Sequence, residues 1–98
     1  IYGCGNKGSV EGSPAGAIAT KNTENAIIDS CWNNGVVIGS SGIVSNNEGW
    51  VTNCYNSGQV GTAGIAEDMR DWNMRVINCY NAGSLVKSYY DYNYEDTI

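Results

Sequence analysis

One string of residue types recurs four times along the chain, and that recurrence constrains its fold more than any other feature. An aliphatic residue and two spacers precede Cys-x-Asn-x-Gly-x-aliphatic in Ile1 to Val10, Ile28 to Val37, Val51 to Val60 and Val76 to Leu85. The cysteines stand at positions 4, 31, 54 and 79, so successive units are 27, 23 and 25 residues apart. Three units are followed by a second element, a small residue, glycine and then aliphatics: Ala15-Gly16-Ala17-Ile18, Ser41-Gly42-Ile43-Val44 and Ala63-Gly64-Ile65-Ala66. Asn-rich connectors such as Ser45 to Gly49 lead into the next unit.

A period near 25 is too short for two-helix repeats, and leucine-rich repeats need Leu, which occurs here once, at Leu85. Each unit instead holds two or three short β-prone pieces separated by Gly/Asn turns. The expected architecture is therefore all-β, a parallel β-solenoid or β-helix of about four coils with repeats of about 25 residues. The coils fall at residues 1–20, 21–45, 46–67 and 68–86. Residues 87–98, rich in Tyr and Asp, form a C-terminal tail or cap.

Stacked coils lie about 4.8 Å apart, so like residues sit on like residues. Period-2 alternation puts Cys4, Cys31, Cys54 and Cys79 in one inward column beside Val10, Val37, Val60 and Leu85. Asn6, Asn33, Asn56 and Asn81 stack at a bend, where each amide can bond its neighbour or a turn backbone. Gly8, Gly35, Gly58 and Gly83 supply either positive φ or room for a crowded turn. Trp32, Tyr55 and Tyr80 point outward in one column. The aliphatic residue three before each cysteine is out of phase with it, so a bend must lie between them.

The strings Val51-Thr-Asn-Cys-Tyr-Asn-Ser-Gly-Gln-Val60 and Val76-Ile-Asn-Cys-Tyr-Asn-Ala-Gly-Ser-Leu85 resemble the GLUG repeat. The Gly-Ile-Val and Gly-Ile-Ala elements between units add to that resemblance, which spans roughly residues 1–85. Two positions depart from the pattern: Ser45 stands where the family carries glycine, and Gly5 where it carries an aromatic. GLUG repeats belong to large secreted or wall-attached bacterial proteins, including adhesin-like proteins and the non-catalytic parts of IgA-cleaving metallopeptidases. The resemblance implies an extracellular or cell wall-attached bacterial location, a structural repeat and no catalytic residues.

Composition narrows function further. The chain carries a net charge of −5 and only five scattered basic residues. This argues against nucleic acid and anionic membranes, both of which need basic patches. No apolar run approaches the ~18 residues of a membrane span. With no histidine, no Ser/His or Cys/His nucleophile pair can form. No enzyme activity, cofactor or metal is expected. The chain starts at Ile1 without Met and reads as an excerpt of a longer array or a processed product.

Three features carry a sharper alternative. Four cysteines could pair, but in-register parallel side chains keep Cβ atoms near 4.8 Å, beyond the ~4.5 Å that a disulfide permits. Free core thiols are the better reading. Trp32, Tyr55 and Tyr80 could stack on sugar rings as a glycan-binding column, or could simply stabilise the stack. The segment Asp91 to Asp96 carries oxygen ligands in alternation but lacks the glycine and distal glutamate of a calcium loop, so it reads as a solvated tail. Glu67, Asp68 and Asp71 read as a surface loop. The expected partners are a host or matrix protein or glycan, and a second copy stacked end to end.

Overall fold

A computed structural model describes residues 1–12, 14–69 and 74–85; the 87–98 tail, Asp71 and the Asp91–Asp96 segment lie outside the described residues. Within them the chain is all-β, with no helix and only parallel pairing between its strands. The first sheet holds β1 (Gly5–Asn6), β5 (Trp32–Asn33), β9 (Tyr55–Asn56) and β13 (Tyr80–Asn81). A second holds β2 (Ser9–Glu11), β6 (Val36–Ile38) and β10 (Gln59–Val60). A third holds β3 (Ala19–Asn22), β7 (Val44–Asn47) and β11 (Ala66–Asp68), and a fourth β4 (Ile27–Asp29), β8 (Trp50–Thr52) and β12 (Arg75–Ile77).

Every strand pairs with the strand at the same place in the adjacent repeat. Asn6 lies opposite Asn33, Asn33 opposite Asn56, and Asn56 opposite Asn81. Val10 and Val60 flank Val37, and an isolated bridge extends that column from Val60 to Leu85. Unequal spacing is absorbed between strands. The repeats differ in two stretches, one joining Val10 to Ala19, Val37 to Val44 and Val60 to Ala66, the other joining Lys21 to Ile27, Asn46 to Trp50 and Asp68 to Arg75, while the pairings on either side keep their register.

Each full repeat contains four short strands rather than two or three. The extra division comes from the bend before each cysteine. Gly3, Ser30, Asn53 and Asn78 all adopt the left-handed conformation, with φ of 67°, 57°, 53° and 55°. Gly, Asn and, less readily, Ser tolerate that region. One residue of opposite hand turns the chain so that the out-of-phase pair both face inward. Ile28 and Val51 are as completely buried as Cys31 and Cys54. The core is built from such columns, chiefly Ile28, Val51, Cys31, Cys54, Ile43, Ile65, Val44 and Ala66, with Met69 at one end.

The repeated glycines act through space and not through φ. Among the described glycines, positive φ occurs at Gly3 and Gly39. A Cβ on Gly58 would instead overlap the carbonyl oxygen of Gly35, and one on Gly83 would overlap that of Gly58. Stacked turns bring backbone directly onto backbone there, which only glycine permits.

Glu67 and Asp68 lie in β11, not in a surface loop, and both are half-buried. The hydroxyls of Ser40 and Ser45 donate to Glu67 Oε2 at 2.9 and 3.1 Å, which offsets the cost of drawing that carboxylate into the strand.

The crowding at Gly58 gives a controlled test. Gly58→Ala is expected to cost about 3 kcal/mol in urea unfolding, since neither backbone can yield cheaply. Gly8→Ala occupies the same place in the first repeat, where the nearest atom to a new Cβ is 3.8 Å away. It should leave the unfolding midpoint within about 0.5 kcal/mol of the parent.

Candidate functional site

The chemistry-bearing side chains of the repeat meet in three columns. The most completely bonded is the asparagine column. Asn6 Nδ2 donates to Asn33 Oδ1 at 2.8 Å, Asn33 to Asn56 at 2.7 Å, and Asn56 to Asn81 at 2.7 Å. Asn6, Asn33 and Asn56 also clasp the glycine two residues ahead, and Asn81 accepts the Gly83 N–H. Asn33 Oδ1 accepts the Gly35 N–H at 3.1 Å while Asn33 Nδ2 donates to the Gly35 carbonyl at 3.2 Å. Asn56 does the same with Gly58. A carboxamide offers two donors and two acceptor positions. At Asn33 and Asn56 all four are used inside the protein, so these buried amides have nothing left to offer a ligand.

The opposite wall closes over this column through the second sequence element. A Cβ on Gly42 would press on the Asn56 side chain, and one on Gly64 would overlap that of Asn81. The small-Gly-aliphatic string is thus a packing surface for the amides.

A shorter column of the same kind was missed in the sequence. Asn22 Nδ2 donates to Asn47 Oδ1 at 2.9 Å, and Asn47 clasps Gly49 through bonds of 3.0 and 3.2 Å. Its signal was present: Asn47-Glu48-Gly49 is the same Asn-x-Gly string as Asn33-Asn34-Gly35. It stands in the Asn-rich connector between repeats. Beside it, Lys21 and Glu48 form an ion pair at 3.2 Å across partly exposed side chains.

All four thiols are free. Two sulfurs accept from the preceding repeat: the Cys4 N–H points at Cys31 Sγ at 3.5 Å, and the Cys31 N–H at Cys54 Sγ at 3.4 Å. Cys31 and Cys54 are buried, Cys79 is half-buried and Cys4 is exposed. Cys54, acting as a hydrogen-bond donor to Cys79, holds that thiol down to about 7. The same pairing, reinforced by burial, pushes Cys54 up. The more exposed member of the pair is therefore the one that ionises first.

The aromatic column stacks with its rings nearly parallel. Trp32 and Tyr55 have ring centroids 6.5 Å apart at 17°, and Tyr55 and Tyr80 5.3 Å apart at 7°. Gly5 completes the pattern. A Cβ there would overlap the Trp32 indole, so the absence of an aromatic in the first repeat lets that ring lie over the backbone. The Lys7 ammonium sits 5.9 Å from the same ring. Each ring turns a face toward its neighbour in the column, and Tyr80, 57% exposed, presents the freest surface.

On the outer face of the fourth sheet, Asp29 gathers three donors. Thr52 Oγ1 donates to its Oδ1 at 2.5 Å, Asn53 Nδ2 to the same oxygen at 2.9 Å, and Ser30 Oγ to Oδ2 at 2.9 Å. These bonds, Thr52's foremost, hold the Asp29 carboxyl below the usual carboxylate range. Among the described residues no three His, Cys, Asp or Glu side chains converge as metal ligands. No helix among them is long and apolar enough to cross a membrane.

Comparison with known protein families, curated proteins and solved structures finds no match to this chain.

Two measurements follow from the columns. Asn56→Ala strands the amide of Asn33 and both backbone groups of Gly58, so it should cost about 3 kcal/mol in urea unfolding. Asn6→Ala, at the partly exposed edge, should cost about 1 kcal/mol. Iodoacetamide at pH 8 should label Cys4 and Cys79 in the folded protein and spare Cys31 and Cys54 until denaturant is added. Cys79 labelling should rise as pH passes through about 7, because its thiolate then accumulates.

Proposed function

We infer that this chain is a non-catalytic structural and adhesive repeat segment, a stiff spacer or interaction scaffold of a bacterial cell-surface or secreted protein. Its fold is a parallel β-solenoid of GLUG type, each repeat one coil. The observation that carries the reading is the use to which the repeated side chains are put. Amides bond amides, sulfurs accept backbone N–H groups of the preceding repeat and rings stack on rings, so the repeat's chemistry is spent on stacking one unit upon the next.

That pattern suits mechanical work. Parallel ladders between coils resist bending, and each added coil lengthens the rod by about 4.8 Å. Four coils span ~20 Å on that spacing. Extracellular or wall-attached placement goes with the GLUG resemblance. An appendage of a secreted peptidase is the same scaffold in a different protein, with catalysis elsewhere.

The rival reading is a glycan-binding module on Trp32, Tyr55 and Tyr80. The near-parallel stacking of those rings on one another favours the scaffold, since a sugar needs an open aromatic face. The folded chain is therefore expected to leave a glycan array blank at this column. Glycan binding that disappears in Tyr80→Ala, with the β-sheet circular dichroism unchanged, would overturn the scaffold reading and favour the module.

A further inference from the structure

The outer face of β4 and β8 carries a feature that stacking does not use. A groove of about 490 Å³ is lined by Ile1, Tyr2, Ile27, Asp29, Trp50 and Thr52. Trp50 is 43% exposed and Ile27 53% exposed, unlike the aliphatics of the inward columns. Ile27 and Trp50 are register partners, as are Asp29 and Thr52, so an apolar strip runs beside a polar one. The lining is mostly apolar, with a single carboxylate on its edge.

We propose that this groove docks an arginine side chain presented by a partner protein. Three properties of the groove select that chemistry. First, Asp29 retains acceptor capacity. An ionised carboxylate has about four lone-pair positions, and Ser30, Thr52 and Asn53 take three of them, leaving one on Oδ2. Those same donors pin the carboxylate in place before any partner arrives, which lowers the ordering cost of binding. Second, the exposed Trp50 offers a large aromatic surface to a planar cation, and guanidinium stacks on indole while donating to carboxylate. Third, Ile27 can cover the aliphatic stem of a long basic side chain. The chain's net charge of −5 draws a basic partner and repels an acidic one.

Other occupants fit less well. A sugar ring needs several convergent donors and acceptors, whereas the Thr52 hydroxyl proton is already committed to Asp29. A lysine ammonium is compact and strongly hydrated, and it has no plane to lay on the indole. The proposal deepens the interaction-scaffold reading by naming the partner's chemistry, and it rests on that reading.

The test is a titration of the isotope-labelled chain with acetyl-Gly-Arg-Gly-amide, followed by amide and indole N–H signals in NMR. Shifts are expected at the Trp50 indole, along Ile27 to Asp29 and along Trp50 to Thr52. The citrulline peptide, identical in shape but uncharged, should bind at least tenfold more weakly. Trp50→Leu, which keeps an apolar side chain on this exposed face, and Asp29→Asn should each weaken binding to a similar degree. Retained signal dispersion in either variant shows that folding survives. Equal binding of the citrulline peptide, shifts scattered away from these residues, or no shifts up to about 10 mM peptide would overturn the proposal. So would maltohexaose moving the same signals when the arginine peptide does not. Each of these failures leaves the spacer reading standing, because that reading fails at Tyr80 and not at Trp50.

Discussion

The buried asparagine column is the interaction on which the rest of the structure depends. A carboxamide in a dry interior is costly unless every donor and acceptor is met. Here that requirement is satisfied only when an identical amide lies one repeat above and another one repeat below. Asn33 and Asn56 use their whole bonding capacity in this way, half on the glycine of their own turn and half on their neighbours. A slip of one residue would leave several buried polar groups unpaired at once. The column therefore acts as a register key, holding very short strands in alignment that their own ladders could not secure.

Glycine is the counterpart of that key. The Asn-x-Gly turns lie so close together that the Gly35 carbonyl occupies the space where a side chain on Gly58 would begin. The amide–amide hydrogen bonds near 2.7 Å and the tight turns are two expressions of one repeat spacing. Gly42 and Gly64, from the far wall, let the interior close onto the same amides. Apolar burial then fills what remains, with Ile, Val and Cys columns small enough for a narrow core.

Outside this interior the molecule divides its surface by chemistry. The aromatic column is satisfied by its own members, and its N-terminal end is closed by an indole lying over Gly5. The Asp29 network is satisfied by three donors yet keeps an acceptor beside an exposed indole and isoleucine. A repeat scaffold that departs from its own pattern on one face has a natural place for recognition. Ile27, Trp50 and Arg75 share one register position but three different chemistries, whereas Ile28, Val51 and Val76 one residue later stay aliphatic.

What the sequence by itself determined was the repeat: which residues share a column, that strands pair in parallel, and that no helix is needed. Those properties follow from spacing, because a side chain that recurs every 25 residues or so has one way to meet its copies. The tertiary structure alone decided the rest. The division of each repeat into four strands turns on a single left-handed residue at Ser30, Asn53 and Asn78, whose side chains give no unique signal for φ. Crowding, not φ, accounts for the glycines at 35, 58 and 83, since only stacking reveals how near two turns come. The second amide column at Asn22 and Asn47 was hidden by an imperfect copy of the motif. Glu67 was drawn from an expected loop into a strand by hydroxyls about 22 and 27 residues away in sequence. In the last three cases the deciding contact joins residues in different repeats, and its geometry exists only once the repeats are stacked.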